Sequence, residues 1–235
     1  MKKYLLLIIF ALFTLVGNTK PKHSYVRIKT SKGECVVMLY NQTPKHRDNF
    51  LKLAKDGFYN GTLFHRVISE FMIQGGDPDS KTAVAGQTLG SGDLGYRVDA
   101  EFRDSLFHKK GVLAAARNNN PEKASSASQF YLVQGKKFTD EELDKTRMSR
   151  MNGRIIPESQ RTVYKTLGGT PHLDGNYTVY GEIVQGLEMV DTIASVVTSP
   201  DNRPLEDIRM EVTVLKKSEA RKLEKRKMGI KNSPL

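Results

Sequence analysis

The chain has 235 residues, of which 37 are basic, 26 acidic and one a cysteine, with 38% apolar and 27% charged side chains. This composition allows one sizeable buried core and excludes a disordered, collagen-like or disulfide-stapled protein. The net charge of +11 sits at the two ends: residues 1–27 carry five basic and no acidic side chains, and residues 216–235 carry eight basic against Glu219 and Glu224. The middle is balanced, whereas a nucleic-acid surface needs its cations on the folded face that tracks phosphates, so no nucleic-acid partner is expected.

In chain order, Met1-Lys2-Lys3 precedes an apolar run from Tyr4 to Val16, the pattern of a secretory signal. About 13 residues reach roughly 20 Å as a helix, short of the roughly 30 Å hydrocarbon core, which favours export to a periplasm over a spanning anchor. Residues 1–19 are therefore expected to be a signal peptide. An uncleaved N-terminal anchor is the alternative, because Val16-Gly17-Asn18-Thr19 only approximates a cleavage site.

Alternation over 26–30 and 34–40 around Ser31-Lys32-Gly33 predicts two strands joined by a turn. Thr43-Pro44 supplies an N-cap and a first helical residue, and Phe50, Leu51, Ala54 and Phe58 follow at helical spacing up to Gly57. Further short strands are predicted at 63–68, 71–74, 96–98, 112–117, 129–133, 178–184 and 208–215. So many short strands with few helices indicate an antiparallel barrel or sandwich.

Residues 139–168 break that rhythm. Thr139-Asp140-Glu141-Glu142 is a capping-box sequence, and 157–167 predicts a second helix ended by Gly168-Gly169. A helical hairpin inserted at about 135–170 is the expectation. Leu187–Ala194 predicts one more short helix. The basic tail, 217–235, reads as a solvated, partly helical extension, with contact to an anionic membrane as the alternative.

Three motifs carry no function in this reading. Gly90-Ser91-Gly92-Asp93-Leu94-Gly95 matches the dinucleotide fingerprint by letter, but no helix start follows it. The five histidines lack paired ligand spacing, so no metal is expected. Cys35 lies within an apolar strand and reads as a packed thiol.

The chemistry concentrates in Phe64-His65-Arg66-Val67-Ile68-Ser69-Glu70-Phe71-Met72-Ile73-Gln74-Gly75-Gly76-Asp77. Pairing across Ser69-Glu70 puts Arg66 and Gln74 on one face with Phe64, Ile68 and Met72. A cation, an amide and a thioether among aromatic rings suit a binding groove better than a dry core. The plain alternative is that Arg66 pairs with a surface acid while Phe71 and Met72 simply pack.

This segment resembles the signature of the cyclophilin family of peptidyl-prolyl cis-trans isomerases. The resemblance continues through Gly111-Val112-Leu113-Ala114-Ala115-Ala116-Arg117, Ser128-Gln129-Phe130-Tyr131, His172-Leu173-Asp174-Gly175 and Tyr180-Gly181-Glu182-Ile183, in family order from about 25 to 215. It implies a mainly β domain, here 23–216, built as a closed eight-stranded antiparallel barrel capped by helices. It also implies rotation about X-Pro bonds of unfolded or newly exported polypeptides, with no cofactor; a monomer is expected. Arg66 would be the catalytic guanidinium and Gln74 the amide that contacts the substrate backbone. Phe71, Met72, Tyr131 and Leu173 would line the proline pocket, with Ala116, Arg117, Asn118 and Gln129 along the peptide groove. Arg117, His172 and Tyr177 stand where many eukaryotic members have Asn, Trp and His, which puts drug binding and subsite preference in doubt. The competing expectation is a catalytically weak proline-peptide-binding or chaperone module.

Overall fold

The computed structural model describes residues 22–231, with side chains through Arg226. The expected signal or anchor at 1–19 and the last four residues of the tail lie outside the described residues. Contacts divide the chain into a main unit, Tyr25–Val214, and a second unit of the termini up to Ser24 and from Leu215.

Among the described residues ten short strands form: β1 (Ser24–Thr30), β2 (Gly33–Leu39), β3 (Phe64–Ile68), β4 (Met72–Gly75), β5 (Arg97–Val98), β6 (Val112–Ala115), β7 (Ser125–Ser126), β8 (Phe130–Val133), β9 (Val179–Gln185) and β10 (Met210–Val214). Eight of them make one antiparallel sheet in the order β10-β1-β2-β9-β6-β8-β4-β3, and β5 pairs with β7 apart from it. β7 spans only two residues, too few to show a period in sequence.

The expected closed barrel needs correction. The ladder ends at β10 on one side and β3 on the other, so the sheet is a half-barrel rather than a continuous ring. The stretches at the starts of these two strands do meet, through an isolated bridge between Leu63 and Arg209 and a bond from Phe64 N to Ile208 O at 3.0 Å. Farther along β3 the edge is taken by a loop instead: Val67 N donates to Asn202 O at 2.8 Å.

Period-two alternation sorts the strand side chains into two cores. Leu113, Ala115, Phe130, Leu132 and Ile73 join Phe50 and Tyr180 in one. Their sequence neighbours Val112, Ala114, Tyr131, Val133 and Met72 form the other, against which Phe71, Leu173 and Tyr177 pack. This second face carries most of the candidate site residues. Cys35 is buried in the first core, and burial, followed by Glu188 and Glu34, pushes its thiol up to about 12, consistent with a packed side chain.

Helix α1 (Pro44–Lys55) starts where its sequence predicts, but not by the expected cap. The Thr43 hydroxyl is buried without a partner. Glu101 caps instead, accepting from Lys45 N at 3.1 Å and His46 N at 3.0 Å, so its carboxylate meets the positive end of the helix dipole. The His46 ring continues this contact, with Nδ1 2.7 Å from Glu101 Oε2 and Nε2 2.9 Å from Ser125 Oγ on β7. A cap supplied from 55 residues away leaves no local signal.

Helices α2 (Asp140–Arg150) and α3 (Glu158–Thr166) occupy the predicted 139–168 stretch. Both bonds of the capping box form: Thr139 Oγ1 accepts from Glu142 N at 3.2 Å, and Glu142 Oε2 accepts from Thr139 N at 2.9 Å. Arg161 clamps the pair together through Asp140 at 2.7 Å and Asp144 at 2.8 Å. Leu143, Met151, Ile156 and Tyr164 bury one another in a third, separate cluster. Helix α4 (Glu188–Ala194) packs into the first core.

In the terminal unit the tail forms helix α5 (Lys217–Lys231), where Glu219 Oε2 accepts from Lys216 N at 3.2 Å and Glu224 Oε1 accepts from His23 N at 3.0 Å. Among the described residues no helix is long and apolar enough to cross a membrane.

Candidate active site

Strand register builds the site as a row. Arg66 on β3 lies opposite Gln74 on β4, Gln74 opposite Tyr131 on β8, and Tyr131 opposite Ala114 on β6. The β3–β4 turn that sets this register holds Glu70 at φ 59°, in the left-handed region. Met72, two residues before Gln74, points to the same face.

Arg66 Nη1 donates to Gln74 Oε1 at 3.3 Å, and Gln74 Nε2 donates to Gln129 Oε1 at 3.0 Å. Gln129 in turn donates through Nε2 to the carbonyls of Gly90 and Gly92, each at 3.0 Å. The glycine-rich loop thus has a structural task unrelated to nucleotides. Buried Asp77 fastens it by accepting from Gly90 N, and a Cβ on Gly92 would collide with that carboxylate. Arg66 makes no ion pair among the described residues, so the surface-salt-bridge alternative does not hold.

Beside the guanidinium lies a pocket of about 110 Å³. Arg66, Gln74, Phe71, Met72, Tyr131 and Leu173 line it, and Ala116, Arg117 and Tyr177 close one side. The Arg117 guanidinium rests 4.8 Å from the centre of the Tyr177 ring and donates through Nε to Asn176 O at 2.9 Å. Tyr177 meets Tyr131 edge-on at 6.0 Å.

Three predicted residues lie outside this lining. Gln129 stands behind Gln74. Asn118 accepts from Arg97 Nη1 through its side chain and from Arg117 Nη1 through its carbonyl. His172 stacks on Phe71, with ring centroids 5.5 Å apart and planes inclined by 22°. Burial, then Arg150 and His108, lower His172 to about 4, so its ring is neutral at physiological pH.

A buried chain that the sequence does not reveal supports Tyr131. The Tyr131 hydroxyl lies 2.9 Å from His108 Nε2, His108 Nδ1 lies 2.8 Å from Asp174 Oδ1, and Tyr164 Oη donates to Asp174 Oδ2 at 2.6 Å. Because a carboxylate can only accept, His108 Nδ1 donates to Asp174, which fixes the ring with Nε2 facing the Tyr131 hydroxyl. Burial, then Tyr177 and Asp174, hold the Tyr131 phenol far above its ordinary value, so it remains a donor. Sequence placed Asp174 within a family motif and left His108 without a role. Among the described residues no three His, Cys, Asp or Glu side chains converge as metal ligands would.

The family model for cyclophilin type peptidyl-prolyl cis-trans isomerase/CLD matches residues 25–214. A Staphylococcus aureus protein named "Putative peptidyl-prolyl cis-trans isomerase" is 36% identical over 187 residues, covering 79% of this chain and 88% of that protein. A Streptococcus pyogenes protein named "Putative bifunctional phosphatase/peptidyl-prolyl cis-trans isomerase" is 38% identical over 86% of this chain, which spans only 40% of that protein's length. Among solved structures, a Cryptosporidium parvum cyclophilin-type isomerase shares the fold, with a TM-score of 0.60 at 24% identity over 83% of this chain and 98% of the other. Its structure in the presence of the dipeptide Ala-Pro matches with a TM-score of 0.58 over 82% and 99% of the two chains. The chain belongs to the cyclophilin-type peptidyl-prolyl cis-trans isomerase family.

Proposed function

We propose that this protein catalyses cis/trans isomerisation of X-Pro bonds in unfolded or newly exported polypeptides, at the pocket beside Arg66. The observation that carries the reading is a guanidinium held by a neutral amide instead of a carboxylate, at the rim of a small pocket that Phe71, Met72, Tyr131 and Leu173 also line. Rotation about an imide bond costs roughly 20 kcal/mol because amide resonance is lost. In the twisted state the imide nitrogen regains a lone pair, so a fixed N–H donor stabilises that state more than the planar one. Arg66 is that donor. Phe71, Met72, Tyr131 and Leu173 grip the proline ring while the preceding carbonyl swings. Gln74 uses its oxygen to orient Arg66 and one amide hydrogen to meet Gln129, which leaves the second hydrogen for a substrate carbonyl. No bond is broken, so neither a nucleophile nor a cofactor is required.

Family membership and the names of the relatives support this reading, as does the Cryptosporidium homologue's structure in the presence of Ala-Pro. The test is exchange spectroscopy on an Ala-Pro peptide with the full chain. Accelerated exchange supports an isomerase; peptide binding without acceleration would instead identify a proline-peptide-binding or chaperone module. Export remains a proposal resting on Met1–Val16. That α2 and α3 are an insertion into a domain of 23–216 rests on their separate cluster. Contact of the tail with anionic membrane rests on the charge of +6 over residues 216–235.

A further inference from the structure

A second cavity, larger than the pocket beside Arg66, lies next to it. It has a volume of about 560 Å³ and lies between the Ser69-Glu70-Phe71 turn and helix α2. The two spaces share Phe71, and the stacked Phe71–His172 pair is the ridge between them. An extended polypeptide advances about 3.3–3.6 Å per residue, so a chain whose proline occupies the small pocket crosses that ridge within about two residues.

The cavity is built for a polar occupant of negative charge. Lys145 and Arg150 project from α2 into its lining, and neither forms an ion pair among the described residues. Of the other charges there, Lys136 and Glu142 neutralise each other at 2.8 Å, which leaves exposed Glu70 against two free cations. Deeper in the wall, Thr170 is only 2% exposed, and its Oγ1 has no hydrogen-bond partner. His172 Nε2, also in the wall, is likewise buried and unpartnered. Thr170 Oγ1 and His172 Nε2 thus add two polar atoms without a protein partner to the wall that carries Lys145 and Arg150.

We propose that this cavity is a second recognition subsite that takes an acidic side chain of the substrate polypeptide, one or two residues from the isomerised proline. A carboxylate entering it gains Lys145 and Arg150 as counter-ions and the Thr170 hydroxyl as a donor. The proposal rests on the isomerase reading for its proline end, and the enzyme would then favour prolines flanked by Asp or Glu.

The test uses the full chain and hexapeptides with a central Ala-Pro, carrying alanine, glutamate or lysine at the second position before or after the proline. On one side of the proline, the glutamate peptide should exceed the lysine peptide in kcat/KM by about threefold to tenfold, the scale of one or two exposed ion pairs. The double variant Lys145→Glu/Arg150→Glu should invert that ratio and leave turnover of the alanine peptide unchanged. Thr170→Val should reduce the glutamate preference without affecting the alanine peptide. Equal ratios in wild type and double variant, with the alanine peptide still turned over, would overturn the subsite alone. Absence of turnover for every peptide would overturn the isomerase reading on which it rests.

Discussion

Gln129 decides which way round the Gln74 amide sits: Gln129 Oε1 accepts from Gln74 Nε2 at 3.0 Å because its own amide nitrogen is committed to the carbonyls of Gly90 and Gly92. Carbonyls only accept, so the polarity of the whole chain is fixed from the loop outward. Gln74 is left with its oxygen towards Arg66, where an acceptor is needed.

Gln129→Ala should therefore lower kcat/KM roughly tenfold, the worth of about one neutral hydrogen bond, while the sheet remains folded. Rates within a factor of two of wild type would show that Arg66 is oriented without this chain.

The same logic extends behind Tyr131. Tyr164→Phe removes one of the hydrogen bonds to buried Asp174 and should destabilise the fold by about 1–3 kcal/mol, read from urea unfolding. It also bears on the helical hairpin. Replacing 139–168 by a short glycine-serine link should leave the two sheet cores folded, since neither contains a residue from that stretch. The loss of Tyr164 makes the product less stable than the parent. Non-cooperative unfolding would mean that α2 and α3 complete the main core.

Glu101→Ala should cost about 1–2 kcal/mol, because it uncaps α1 and strips His46 of its carboxylate partner. Burial raises the Glu101 pKa, but hydrogen bonds from the His46 ring and from the His46 and Lys45 amides outweigh it and hold the carboxyl below its usual range. Its contribution is present above the unfolded carboxyl pKa and is lost as pH falls through the folded one. Thr43→Ala, by contrast, should cost far less than a normal cap, a contrast that thermal unfolding of the two variants measures directly.

His65 gives a second pH dependence. It is 4% exposed, and burial, outweighing Asp77 and the Leu63 backbone, lowers its pKa to about 4. The unfolded chain takes up a proton near pH 6.5 that the native state refuses until about 4. Stability should thus fall between those values by up to about 1.4 kcal/mol per pH unit from this residue. His65→Leu should flatten that stretch of the stability profile; an unchanged slope would assign it to other groups.

Much of this architecture was legible in the sequence. Alternation located the strands of the main sheet, and Thr139–Glu142 announced α2 together with its capping box. Arg66, Gln74 and Met72 were legible from alternation on two strands joined by one tight turn, whereas Phe71, Tyr131, Leu173, Ala116, Arg117 and Tyr177 came only from the family resemblance. What escaped depends on distant partners: Glu101 displacing Thr43 as the cap of α1, or His108 and Asp174, 66 residues apart, steadying Tyr131. The open seam escaped as well, since alternation marks β3 and β10 as strands without saying how much of each pairs. The lack of a helix start after the glycine loop argued against a dinucleotide site, while its service to Gln129 emerges only once two carbonyls are seen to point at one amide.

The role of Arg66 is the centre of this account, and catalysed exchange of an Ala-Pro peptide by wild type and Arg66→Ala tests it most directly. Loss of one preorganised donor to developing electron density should lower kcat/KM by about two to three orders of magnitude. The peptide dissociation constant, measured on the same samples, should change by only a few-fold, because the apolar grip on the proline ring is intact. An Arg66→Ala protein that retains turnover within a few-fold of wild type would contradict the account.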